Sequence, residues 1–138
     1  MNTRILTAAA LAVMLAAPTL TAAQEGTVTL PDICTANAAA TEMGAMAPGH
    51  DMKMDEAHSA LMMGMDDMNA KMMQGMTAED IDVAFVCGMI PHHQGAINMA
   101  KAELAHGDDQ WAKDMAQKVI DAQEAEIAEM LAWLEQQS

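Results

Sequence analysis

Aromatic rings are almost missing from this chain, with one Phe, two Trp and no Tyr among 138 residues. Basic side chains are scarce as well: six Lys and Arg stand against 20 Asp and Glu, for a net charge of −14. That balance excludes nucleic acid as a partner, because a polyanion needs Lys and Arg to neutralise its phosphates. An acidic surface keeps a protein soluble and raises the local concentration of cations, which favours encounter without making a site. Beyond the first 23 residues no apolar run approaches the roughly 20 residues that a membrane span takes. The alternating pattern of a half-buried strand is absent too.

The leader carries Arg4, an apolar run from Ile5 to Ala17, a break at Pro18 and the small residues Thr21-Ala22-Ala23. This is the pattern of a secretory signal peptide cleaved near Ala23, and its apolar run is too short for an anchor. Export to the periplasm would place the only two cysteines, Cys34 and Cys87, in an oxidising compartment. A structural disulfide is the commoner outcome there. The alternative, a thiolate metal ligand, exposes a site to oxidation, a liability thioethers largely avoid because Met oxidation stops at the reversible sulfoxide.

From residue 24 to 54, Gly26, Pro31, Gly44, Pro48 and Gly49 interrupt any period, so an arm is expected, loosely held, with a short helix over residues 32–41. Three longer segments have helical period, over residues 55–74, 78–106 and 109–136. Thr77 offers an N-cap hydroxyl ahead of Glu79 and Asp80, which suit the first turn of the second helix. Gly107 reads as a C′ glycine, and Asp108-Asp109 as N-cap candidates for the third. Connections this short place neighbouring helices antiparallel. The expected protein is therefore all-α: leader 1–23, arm 24–54, and over 55–138 an up-and-down antiparallel bundle of three long helices, with a short helix N-terminal to it.

What the chain has in place of rings is methionine, 17 in all. All but Met1 and Met14 lie beyond the leader, most of them between Met43 and Met99 and interleaved with His50, His58, His92 and His93. Neutral thioethers beside imidazoles are the ligand set that soft cations such as Cu(I) select. On the first long helix His58, Leu61, Met62, Met65, Met68, Met72, Met73 and Met76 fall in an arc of about 140°, and Met63 alone points elsewhere. Met stripes are commonly core, since Met fills irregular gaps. A chain needing only apolar volume would use Leu, however, and Leu61 is its single appearance here.

The second helix holds Met89, His92, His93, Ala96 and Met99 on a face about 120° wide, with Glu103 continuing it. The adjoining face, Val83, Val86, Ile90, Ile97 and Leu104, is ordinary core. Pro91 within the helix removes a backbone hydrogen bond and crowds the carbonyl of Cys87, so a kink is expected. With Gly88 and Gly95 it would open the backbone beside the His pair. The competing reading of that pair is two hydrogen-bonded core histidines. In the arm, His50, Met52 and Met54 alternate with Asp51 and Lys53, either a segment that closes over an ion or a plain polar linker. On the third helix Gln123 and Glu126 interrupt the apolar face made by Met115, Val119, Ala122, Ile127, Met130, Trp133 and Leu134. Glu126 either orients an imidazole of the His pair, as metal-bound histidines usually require, or reaches water at the stripe's edge.

The run MIPHHQGAINMAKAEL, the Gly107-Asp108-Asp109 turn and the later Gln123, Glu126, Ile127, Met130, Trp133 and Leu134 resemble the CopM-type exported copper-binding proteins, a helical domain of the ferritin-like superfamily. The resemblance covers residues 73–134. It implies a periplasmic copper metallochaperone or sequestering protein with Met and His ligands, carried here by Met89, His92, His93 and Met99. His58, Met62, Met65, Met72, Met76, His50, Met52 and Met54 transfer more weakly.

Three functions compete. A non-catalytic binder would hold Cu(I), with Ag(I) or Cu(II) as alternatives, and pass it to a copper exporter or another periplasmic copper protein. A ferritin-type metal oxidase would need Glu from two helices and Glu-x-x-His from two more, whereas this chain offers only Glu103-x-x-His106 and the weaker Asp55-x-x-His58. A Met-rich helical adaptor would dock an amphipathic partner helix. The binder, not an enzyme, is the reading the residues favour.

Overall fold

The computed structural model describes residues 26–36 and 54–137. Among them there are five helices and no strand: α1 (Asp32–Thr35), α2 (Glu56–Met62), α3 (Met65–Gly75), α4 (Ile81–His106) and α5 (Gln110–Leu134). The protein is an all-α helical bundle. The expected leader, and the parts of the expected arm at 24–25 and 37–53, lie outside the described residues.

Helix boundaries follow local chemistry. The expected helix over 55–74 is broken in two at Met63-Gly64, where Gly64 takes φ 80°, the left-handed region glycine reaches without a Cβ penalty. Asp55 caps α2, accepting from the His58 backbone N–H at 3.0 Å. α4 starts later than expected: Asp80, not Thr77, is its cap, its Oδ1 accepting from Asp82 and Val83 N–H at 2.9 and 3.1 Å. Thr77 instead closes α3, its hydroxyl donating to the Gln74 carbonyl at 2.7 Å. Asp109 caps α5 as expected, accepting from Ala112 N–H at 2.9 Å. Gly107 ends α4 with φ −67°, so its role is not left-handed geometry. A Cβ there would collide with the Glu103 carboxylate.

α4 is the central element, and α3 and α5 each pack along it rather than on each other. The α3 contact is unusually close because glycines line it. A Cβ on Gly75 would sit 2.5 Å from the Cys87 carbonyl oxygen, and one on Gly88 would meet Met76 Cγ at 2.9 Å. One on Gly95 would strike the Met68 sulfur. Sequence positions thus run in opposite directions along the two helices, 68 against 95 and 75 against 87. α5 buries Leu134 with Val83, Cys87 and Ile90 at one end, and Ala116 and Ile120 with Ile97 and Ala100 at the other, again antiparallel. The buried stripe of α5 is therefore rotated from the expected face: Ala116 and Ile120 are inside, whereas Met115, Ala122 and Glu126 are exposed.

Residues 26–36 are not loosely held. Val28, Leu30 and Ile33 pack on the core, and Cys34 is disulfide-bonded to Cys87 in the second turn of α4, with both fully buried. Further out, Asn98 holds Gly26 by both of its backbone groups: its Oδ1 accepts from Gly26 N–H at 3.3 Å, and its Nδ2 donates to Gly26 O at 3.2 Å. No helix of the described residues is long and apolar enough to cross a membrane.

Candidate metal-binding face

The disulfide answers the question left open about the cysteines, and no thiolate ligand remains. Its strap covers one side of α4, where Gln94 and Asn98 point. The opposite side carries His92, exposed, with Met89 half-buried and Met99 45% exposed. This is the face on which sequence reasoning gathered Met89, His92, Ala96 and Met99.

His93 departs from it and turns toward α5. It is buried, 8% exposed, and its Nε2–H donates to Glu126 Oε2 at 2.6 Å. Gln123 holds the same carboxylate oxygen through its Nε2 at 3.2 Å. Glu126 is thus the acceptor that orients an imidazole, and Gln123 steadies it across one helical turn. Nδ1 is buried, and among the described residues it is the one buried side-chain nitrogen or oxygen without a hydrogen-bond partner. A buried polar atom left this way costs free energy unless something satisfies it. The two imidazoles lie edge to face, with ring centroids 5.9 Å apart.

The methionines of α3 divide by depth. Met65, Met68 and Met72 are half-buried, Met68 filling the notch at Gly95, while Met73 and Met76 are exposed. Gly88 and Gly95 do not open the backbone at the His pair as expected. They admit α3 side chains instead, and Pro91 is buried within a helix that runs uninterrupted from Ile81 to His106. The break at Gly64 also splits the expected stripe. Met62 and Met63, each about half exposed, belong to α2 and its end, so the wheel drawn through His58 does not continue into α3. His58 is bound locally: its Nδ1 lies 2.9 Å from both Asp55 oxygens. The backbone and side-chain hydrogen bonds from His58 hold the Asp55 carboxyl below its ordinary 3.8. Met54 is exposed, and His50 and Met52 lie outside the described residues.

Among the described residues no three His, Cys, Asp or Glu side chains come together as a cation site. A soft ion held here would draw on thioether sulfur beside the imidazoles. Sequence reasoning missed Asn98 as the clamp on the arm, although an amide within an apolar helix is itself a signal. It also missed Ile81 and Phe85, 78% and 64% exposed, which extend the arm-free face of α4.

A family model described as a domain of unknown function, DUF305, matches residues 8–134. The chain belongs to that family. No curated protein matches it.

Proposed function

We propose that this DUF305 member is an exported copper-binding protein of the CopM type, holding Cu(I) through Met thioethers and His imidazole for sequestration or delivery in the periplasm. The observation that carries the reading is His93: a buried imidazole, fixed through Nε2 by a carboxylate, whose Nδ1 has no partner. Metal-bound histidines usually have this arrangement, one nitrogen on the ion and the other on an oxygen acceptor. Thioethers on α3 and α4 would supply soft, uncharged donors, which favour the reduced ion over harder divalent cations. Met89, His92 and Met99 are the α4 ligands proposed with His93, and Met65, Met72 and Met76 the α3 ones. The acidic surface enriches cations around the site. Copper is cargo in this reading, and the chain does no chemistry on it.

The test is an anaerobic competition titration against a chromogenic Cu(I) chelator. Stoichiometric uptake is expected, with affinity falling in Met89→Leu and Met72→Leu, which keep volume and remove sulfur. Wild-type protein that leaves the chelator fully loaded refutes the proposal. N-terminal sequencing of the secreted chain tests export, with a start just after Ala23 expected.

A further inference from the structure

α4 is apolar on every side, a pattern that belongs to a helix buried all round. The fold covers it with α2, α3, α5 and the arm, and one side stays open. Along that side run Phe85, Met89, His92, Ala96, Met99 and Glu103, at spacings of 4, 3, 4, 3 and 4, with Ile81 one turn before. This is the a/d repeat of a coiled-coil seam, narrower than the stripe a globular core needs. Ile81, Phe85 and Met99 are exposed large apolar residues along it. The same stretch is where the chain's charge is lifted: of its 20 acidic residues none falls between Asp82 and Glu103.

From these observations we infer that the open side of α4 pairs with α4 of a second copy of this chain, antiparallel about a twofold axis near Gln94. The register is self-complementary. With Met89, Ala96 and Glu103 as a positions and Phe85, His92 and Met99 as d positions, an antiparallel pair sets a against d. Met89 meets Met99 of the second copy, small Ala96 receives its His92, and the stem of Glu103 covers its Phe85. A partner as acidic as this chain is repelled least along the stretch between Asp82 and Glu103, where neither copy carries an acid, so over the middle of the seam like meets like without charge opposition, and acids approach each other only at its two ends. The seam is about 33 Å long at the rise of an α-helix, and with the flanking methionines it reaches the lower end of stable interfaces, on the order of 1,000 Å² in all. An interface this small is of the weak, transient class, and a reversible dimer is expected. The pairing uses the face of the copper proposal but needs no copper.

Sedimentation equilibrium of the purified, chelator-treated protein tests it. The weight-average mass is expected to rise from one chain to two across roughly 1–100 µM. Phe85→Glu and Met99→Glu, both at exposed positions, are expected to raise the dimer dissociation constant at least about 30-fold, with unchanged helical circular dichroism. Trp111→Ala, exposed on the side of α5 away from α4, should leave it unaltered. A wild-type chain that stays monomeric at every concentration overturns the inference, as does a dimer that survives both Glu variants. Copper titration of the same samples is read separately, so either proposal can fail without the other.

Discussion

Replacing Glu126 with Ala removes the one side-chain bond that His93 makes. His93 is 8% exposed and its Nδ1 already lacks a partner, so the variant leaves both nitrogens of a buried ring unsatisfied. An orphaned buried donor costs about 1–3 kcal/mol. Because the Glu126 side chain is itself 52% exposed, water reaches the vacated space, and the lower part of that range, about 1–2 kcal/mol, is expected. Glu126→Gln keeps an acceptor oxygen within reach and should lose less than about 1 kcal/mol, the difference between a charge-assisted and a neutral bond. Urea unfolding of the metal-free protein reads these values as a lower midpoint at unchanged slope. In the Cu(I) competition titration the same Ala variant should bind about 10- to 100-fold more weakly. The order wild type, Gln, Ala should hold in both assays. An Ala variant as stable as wild type and equally tight for Cu(I) would refute the role given to the 2.6 Å contact.

Removing the disulfide, by Cys34→Ser with Cys87→Ser or by reductant, opens a loop of 53 residues and should cost about 4 kcal/mol. Identical urea midpoints with and without reductant would contradict it. Gly75→Ala places a methyl 2.5 Å from the Cys87 carbonyl, where only backbone can yield, and should cost about 1–3 kcal/mol in thermal unfolding. Gly95→Ala meets only the flexible Met68 side chain and should cost less. For Asp55, whose carboxyl is held below its ordinary 3.8 in the folded chain, the bonds to His58 support α2 at pH above that value and are lost as pH falls through the lowered one. An NMR titration of Asp55 should give a midpoint below 3.8, and Asp55→Asn should abolish the acid sensitivity of amide exchange at the start of α2.

The all-α class, the antiparallel order and the core face of α4 were legible because Val83, Ile90 and Ile97 repeat at helical spacing and few breakers interrupt them. The pairing of an imidazole with Glu126 was legible only as one of two readings, and the 2.6 Å contact with His93 decides for it while leaving the Glu126 side chain half exposed. What escaped notice depends on distance rather than period. Gly64, Gly88 and Gly95 look alike in a sequence, yet one breaks a helix while the other two seat the side chains of a neighbour. Thr77 and Asp80 are both good caps, and the choice fell to the residue whose carboxylate reaches two N–H groups. The rotation of α5 was missed because Ala116 is too small to register as core, although it packs against Ile97 and Ala100.

The cross-link between Cys34 and Cys87 ties the chain's early residues to the second turn of its longest helix, and this gives assembly a chronology. Where thiols are kept reduced, α3, α4 and α5 can associate while the stretch around Val28 has only van der Waals contact and Asn98 to retain it. Sealing waits for an oxidant. Maturation of the strap is thereby governed by the surroundings in which the polypeptide arrives, and the open and sealed forms of the strap differ by two hydrogens.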